Sequence, residues 1–194
     1  MPQTDIRHVH FLPWKGRDYE NQSVRILILG ESHYSSQDES SDFTERLTLQ
    51  YMNGEWNHRF WTQISQAITG KSAREIDRHK FWNSVAFYNY VQTIGVSQPR
   101  EKPSDALFHE SEPAFFEVLD CLRPTHMLAF GFRLWERLPA LEDESLSFVC
   151  DGQPHRYGNY RRSWGRVLAT AIRHPSSAFS APQWYPTICQ FLQM

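Results

Sequence analysis

The sequence VRILILGESHY, residues 24–34, determines how the rest of the chain is arranged. Its apolar run at residues 26–29 is too short for a stable helix and ends at Gly30, so we predict a buried strand of a parallel sheet. A carboxylate, a hydroxyl, an imidazole and a phenol follow at residues 31–34. Because ligands of open α/β sheets bind beyond the carboxyl ends of the strands, these side chains are the first candidates for a functional site.

The composition indicates a single domain that spans residues 1–194, with an irregular lead-in at residues 1–23. Hydrophobic residues make up 40% of the chain, which is enough for a core, and the formal net charge of -2 gives no overall attraction to a polyanion. The 3 cysteines are scattered without metal-binding spacing, and the amino terminus has no signal-peptide pattern. We expect a soluble cytoplasmic monomer that contacts no membrane and holds no metal or cofactor.

Apolar strand-like runs alternate with helix-like stretches along the chain. We predict strands at residues 26–29, 81–91, 125–130 and 164–172, and helices within residues 43–69, 111–122, 133–138 and 177–194. Residues 151–160 are rich in turn-forming residues and are predicted to separate two strands. This alternation indicates the α/β class, as a three-layer α/β/α sandwich around a short, mainly parallel four-stranded sheet.

A second group of polar residues follows the last predicted strand. Its sequence is RHPSS, residues 173–177. Neighbouring parallel strands end at the same edge of a sheet, so we expect His174 to face residues 30–34 across one pocket.

The order of these motifs resembles that of the uracil-DNA glycosylase superfamily. Members have a strand followed by a glycine-containing motif such as GQDPY or GEAPG, and a later strand followed by HPS. Here the two motifs are GESHY at residues 30–34 and HPS at residues 174–176. Between them, FYNYV at residues 87–91 is similar to the strand whose asparagine recognises the flipped base, and residues 123–131 are similar to the next strand of the family.

The resemblance implies a DNA glycosylase-like protein that extrudes a deaminated or damaged base of the uracil type and hydrolyses its N-glycosidic bond. It assigns catalytic roles to Glu31, Ser32 and His174, base binding to Tyr34, Phe43 and Asn89, and DNA contacts to Gly30, Ser176, Ser177 and Phe179. A neutral His174 would donate a hydrogen bond to the departing base, and Glu31 would orient water or carry negative charge opposite the sugar. The amide of Asn89 would recognise a base edge.

The remaining roles follow from the same resemblance. Tyr34 or Phe43 would stack on the base, Ser176 and Ser177 would hold a phosphate, and Phe179 would fill the vacated stack. A local basic patch for DNA would come from Arg156, Arg161, Arg162, Arg166 and Arg173. Each residue type also suits an ordinary structural role: hydroxyls cap helices, aromatic rings fill cores, and arginines cover solvated faces.

The chain departs from the family pattern at three points. Ser32 stands where GQDPY-type members have the aspartate that positions water, His33 stands in place of a proline, and the four cysteines of the iron–sulfur members are absent. The serine motivates an alternative, a catalytically inactive protein of the same fold that binds nucleic acid or a nucleotide. A further alternative is a serine hydrolase with Ser32 as nucleophile and His174 as base, although Ala171 stands where such enzymes have an aspartate.

Overall fold

The computed structural model describes residues 6–33, 40–93, 103–143 and 146–194. Its strands are β1 (Trp14–Lys15), β2 (Ile26–Gly30), β3 (Ala86–Asn89), β4 (His126–Phe130), β5 (Leu146–Cys150), β6 (Gln153–Arg162) and β7 (Gly165–Ile172). Its helices are α1 (Phe43–Met52), α2 (Arg59–Thr69), α3 (Arg78–Ser84), α4 (Asp105–Glu110), α5 (Glu112–Leu122), α6 (Phe132–Trp135) and α7 (Ala181–Phe191). A short 3-10 turn, Tyr19–Asn21, lies between β1 and β2.

These strands form one mixed sheet in the order β1-β3-β2-β4-β7-β6-β5. Strand β2 pairs in parallel with β3 and with β4, and β4 pairs in parallel with β7. Strand β1 pairs antiparallel with β3, β6 with β7, and β5 with β6. The carboxyl ends of β3, β2, β4 and β7 therefore lie along one edge of the sheet, which we call the carboxyl edge.

The prediction of a short, mainly parallel four-stranded sheet is wrong, because the described residues form a seven-stranded mixed sheet. Strand β1 is only two residues long, so it produces no periodic pattern. Strands β5 and β6 form a hairpin whose turn residues Asp151 and Gly152 have φ angles of 48° and 72°, as tight hairpin turns require. The first half of β6 is largely exposed and contains Pro154, so its sequence is typical of a loop.

Two predicted boundaries also differ from the structure. Residues 81–84, predicted as part of a strand, form the last turn of α3, and the Asp77 side chain caps this helix by accepting the Lys80 backbone N–H at 2.9 Å. The last helix begins at Ala181 instead of residue 177, because residues 174–177 form a turn. In that turn the backbone N–H of Ser177 donates to the His174 carbonyl at 2.9 Å.

Alternate residues of the central strands pack against opposite layers of helices. Ile28 of β2 belongs to a buried cluster with residues of α1, α2, α3 and α7. Its neighbours Leu27 and Leu29 belong to a second cluster, with residues of α4, α5 and α6. Because successive side chains of a strand point to opposite faces, helices cover both faces of the sheet and leave the carboxyl edge as the place where loops converge.

A three-residue polar contact fastens α5 to the antiparallel end of the sheet. Asp120 on α5 accepts hydrogen bonds from Arg162 Nε and from Trp164 Nε1, both at 2.9 Å. The guanidinium of Arg162 also lies over the Phe116 ring, 4.8 Å from its centroid. The Arg162 contact holds the pKa of the Asp120 carboxyl below its usual range.

Replacement of this carboxylate tests the contact. Asp120→Asn removes the charge that Arg162 requires, and we expect it to lower the free energy of unfolding by about 1 kcal/mol, since the pair is partly solvent-screened. The matched control is Glu142→Gln, because Glu142 pairs with the neighbouring Arg161 in an exposed site. The control should change stability by less than about 0.5 kcal/mol in urea denaturation. An equal decrease in the free energy of unfolding in both variants would show that the Asp120 contact stabilises the fold no more than the exposed Glu142–Arg161 pair does.

Candidate active site

The chain segments that follow β2 and β3 run side by side at the carboxyl edge. Gly30 of β2 is paired with Asn89 of β3 in the sheet. Backbone hydrogen bonds continue past the strand ends: Tyr90 N–H donates to the Gly30 carbonyl, and Val91 N–H donates to the Glu31 carbonyl. A Cβ on residue 30 would collide with the Asn89 amide oxygen. Gly30 is therefore required so that this amide can lie against the end of β2.

A buried network fixes the orientation of Asn89. Its Nδ2 lies 3.1 Å from His33 Nδ1, and His33 Nε2 lies 2.9 Å from the hydroxyl of Thr44 on α1. The same Nδ2 lies 3.3 Å from His33 Nε2, so the Asn89 amide group lies against both ring nitrogens. His33, Asn89 and Thr44 are 4%, 6% and 0% exposed, so neither the imidazole nor the amide can reorient freely.

Aromatic rings enclose the His33 imidazole. The ring centroids of Phe11 and Phe43 lie 5.0 Å and 4.8 Å from it. Burial lowers the pKa of His33 to about 4, so the ring is neutral at physiological pH. Phe43, predicted to stack on a base, is 8% exposed and packs on this imidazole.

The carboxylate of Glu31 is paired. Arg133, in the first turn of α6 directly after β4, donates Nη2–H to Glu31 Oε1. The Glu31 side chain is 12% exposed and that of Arg133 27% exposed. In this arrangement Glu31 holds a guanidinium and is not a free base.

The residues after β7 hold the His174 imidazole in a defined state. The backbone N–H of Ser176 donates to His174 Nδ1 at 3.1 Å, and the Ser176 hydroxyl lies 2.7 Å from the same nitrogen. A nitrogen that accepts a backbone N–H carries no proton itself, so the neutral ring has its proton on Nε2. Burial and the nearby Arg133 guanidinium both lower the pKa of His174, which favours this neutral form.

The two predicted groups of residues lie at the same edge of the sheet, with one strand between them. Strand β4 separates β2 from β7, which corresponds to about 10 Å between β2 and β7. Phe60 on α2 bridges this gap, with ring centroids 6.2 Å from Phe87 of β3 and 5.3 Å from His174. The site therefore has His174 on one side and Asn89 and Glu31 on the other, and Phe60 packs between His174 and Phe87 of β3.

Other predicted residues lie at or beside this edge in different settings. Ser32 is 8% exposed, and its hydroxyl has no hydrogen-bond partner among the described residues. Phe179 is 6% exposed and packs near Phe130 and Trp184, so a role as a wedge would require it to leave the core. Tyr34 lies outside the described residues.

The two serines are placed before the last helix and not at its first turn. Ser176 and Ser177 are exposed, and both backbone N–H groups are used within the turn, where they bond to Nδ1 and to the carbonyl oxygen of His174. The Ser176 hydroxyl also lies 2.7 Å from His174 Nδ1, so the Ser177 hydroxyl is the group left as a candidate phosphate contact.

The predicted basic patch is divided between the two ends of β7. Arg161 pairs with Arg166 across the sheet near the start of β7, and Arg162 follows, whereas Arg173 lies just beyond its other end. The eight residues of β7 span about 26 Å, so these groups do not form one surface. Arg156 pairs with Ser147 near the end that Arg173 occupies.

Sequence patterns do not reveal several residues that shape the site. Arg133 contacts Glu31 across a separation of 102 residues, and Thr44 contacts His33 across 11 residues. Phe60 is one of two neighbouring aromatic residues on the amphipathic helix α2. A sequence signal for Arg133 is its position two residues after Gly131, the glycine that follows β4.

Comparisons with protein-family models and with curated proteins find no match to this chain. The family resemblance therefore stays a prediction based on four short motifs. Within the described ranges, no helix has the length and apolar character needed to cross a membrane. The same part of the chain contains no group of three or more histidine, cysteine, aspartate or glutamate residues arranged to bind a metal.

The buried His33 imidazole makes stability depend on pH. Its pKa is about 4 in the folded protein and about 6.5 when unfolded, so only the unfolded chain takes up this proton between those values. The stabilising contribution is complete above pH 6.5 and is lost as pH falls towards 4. Between pH 7 and pH 5 the loss from this group is about 2 kcal/mol.

His33→Gln keeps a side chain that both donates and accepts hydrogen bonds near Asn89 and Thr44 but removes the titratable group. Urea denaturation should show that its stability falls by about 2 kcal/mol less than that of the wild type between pH 7 and pH 5. His79→Gln, at an exposed histidine of α3, controls for the loss of a histidine. An identical pH dependence in His33→Gln and wild type would show that His33 is not held neutral.

Proposed function

We propose that this protein is a DNA glycosylase-like enzyme that extrudes a deaminated base of the uracil type and hydrolyses its N-glycosidic bond. The observation that carries the proposal is the state of His174 at the carboxyl edge. Its Nδ1 is occupied by the Ser176 backbone N–H, so Nε2–H is the ring's remaining donor. A neutral donor fixed in this way suits the carbonyl oxygen of a base that becomes negatively charged as it leaves.

The reaction requires stabilisation of the departing base and of the sugar cation, and His174 supplies the first. The bond between the sugar C1′ and the base nitrogen breaks, its electron pair goes to the base, and the sugar becomes an oxocarbenium-like cation. A water oxygen then bonds to C1′ and releases a proton to solvent. His174 stabilises the departing anion by a hydrogen bond that strengthens as charge develops, which is the interaction that accelerates such a step.

Recognition of the base would fall to the opposite side of the site. The Asn89 amide is locked by His33, and its oxygen lies against Gly30. A rigid amide offers a fixed pattern of donor and acceptor, which discriminates between base edges better than a mobile one. Phe60 packs next to His174. Its ring is placed to contact the face of a base that lies between His174 and Asn89.

A second candidate function, binding without catalysis, is favoured by a specific observation. Glu31 is held by Arg133, and Ser32 stands where GQDPY-type members of the family that the chain resembles carry a carboxylate. A protein with these features would still bind an extruded base while providing no carboxylate to stabilise the sugar cation. The serine hydrolase alternative has less support, since the His174 Nδ1 contacts are made within its own turn, by Ser176.

Cleavage of oligonucleotides that carry uracil, hypoxanthine or xanthine tests the proposal. We expect abasic product from at least one of them, and we expect His174→Ala to slow its formation by about 100-fold because the donor to the leaving base is lost. His79→Ala, an exposed histidine away from the carboxyl edge, is the control and should retain the wild-type rate. A thermal melt of each variant confirms that it is folded.

Two results would contradict catalysis. One is the absence of abasic product from single- and double-stranded substrates at stoichiometric amounts of folded protein. The other is product formation that His174→Ala leaves unchanged. Tight binding of the same oligonucleotides without product, also unchanged by His174→Ala, would establish the non-catalytic alternative.

A further inference from the structure

A separate cavity opens beside the turn that carries His174. Its volume is about 540 Å³, within the range of small-molecule sites. It lies between the β5–β6 hairpin, the residues that follow β7, and the first turns of α7. Its lining includes Cys150, Gln153, His155, Arg173, Gln183 and Trp184. Arg173 directly precedes His174, so whatever occupies this cavity lies next to the proposed active site.

We propose that this cavity, the flanking pocket, binds the nucleotide adjacent to the extruded one in a DNA strand. The inference rests on the proposed function, because it requires a DNA strand at the carboxyl edge. It assigns the pocket a ligand class, a nucleobase attached to a backbone phosphate, and its argument comes from the aromatic and charged side chains around the cavity.

The rings of Trp184 and His155 line the cavity, and the Phe132 ring lies beside it. Trp184 lies 6.3 Å from Phe132 and 5.8 Å from the His155 ring, measured between ring centroids. Phe132 is 45% exposed, an unusual exposure for such a large apolar side chain in the first turn of a helix at the sheet edge. Base stacking on exposed aromatic rings is the common way to hold a single strand independently of sequence.

The charges around the pocket favour a base with its phosphate over a bare anion. Arg173 supplies one positive charge, with its guanidinium 5.9 Å from the Phe132 ring centroid. Asp151, at the tip of the hairpin, supplies one negative charge, and burial lowers the pKa of His155 so that it is neutral. The lining is therefore close to neutral overall. A phosphate alone gains little there, whereas a nucleotide combines stacking, one Arg173 contact and the amides of Gln153 and Gln183.

Binding of short single-stranded oligonucleotides, measured by fluorescence anisotropy, tests the pocket. Each oligonucleotide carries 2′-fluoro-2′-deoxyuridine, which resists hydrolysis. Two derivatives lack the base of the nucleotide immediately 5′ or 3′ to it. We expect one of these two derivatives to bind wild-type protein about tenfold more weakly, because one stacked base is lost.

The variants locate that loss. In Trp184→Ala and in Phe132→Ala, the loss of affinity caused by the missing base should largely disappear. Trp184→Phe should show most of that loss again. Arg173→Gln should reduce the slope of log affinity against log salt by about 1. Val149→Ala is the matched control, since Val149 is 62% exposed on β5 but is not part of the pocket lining.

The outcomes distinguish this inference from the function it rests on. If neither derivative binds wild-type protein more weakly, or if the loss of affinity is the same in Trp184→Ala and Phe132→Ala, the flanking pocket does not bind a nucleotide, even where base excision is observed. If one derivative binds wild-type protein more weakly but no base is excised from any substrate, the pocket is supported in a non-catalytic binding protein. Failure of every oligonucleotide to bind overturns both the pocket and the proposed function.

Discussion

The parallel pairing of β2 with β3 and β4, and of β4 with β7, is the constraint on which the candidate site depends. It requires these four strands to end along the same edge, and with them the residues that immediately follow. Segments as distant as residues 30–33 and 174–177 are brought together by this pairing and by burial of the strands between two helix layers. The hydrogen bonds of the side chains then refine positions that the sheet has already set.

Burial and one ion pair determine the electrostatic character of the carboxyl edge. His33 and His174 both have lowered pKa values, and burial is the principal cause for each. Arg133 neutralises Glu31 and also disfavours protonation of His174. The edge therefore presents neutral donors and acceptors with fixed orientation. This character supports the proposal that the ligand is an uncharged heteroaromatic ring such as a nucleobase.

The strands that carry the site were the most predictable part of the fold. Residues 26–29, 125–130 and 164–172 have apolar runs that end in glycine or in polar residues, because burial on both faces demands continuous apolar sequence. The edge strands were not predictable in this way. Strand β6 is half-exposed and near the sheet edge, where no burial pattern is imposed, and β1 is two residues long. The error in sheet size therefore came from the solvated strands.

Within the site, positions at strand ends could be predicted from the sequence, whereas contacts between separate elements could not. Gly30 and Asn89 are the last residues of β2 and β3, and His174 follows the end of β7 by two residues, which are positions that the sequence predicts. The partners that set their chemical state were not identified. Thr44, Arg133 and the backbone N–H of Ser176 act through packing of separate elements or through local turn geometry, and no spacing rule encodes either.

The most direct measurement is a crystal structure of the protein with a single-stranded oligonucleotide that carries 2′-fluoro-2′-deoxyuridine. We predict that the uracil ring lies at the carboxyl edge between His174 and Asn89, with a carbonyl oxygen about 3 Å from His174 Nε2. The Ser176 N–H should remain bonded to Nδ1. A uracil ring bound elsewhere on the molecule, or a His174 ring that presents Nδ1 to the base, would contradict the assignment of this edge as the nucleobase site.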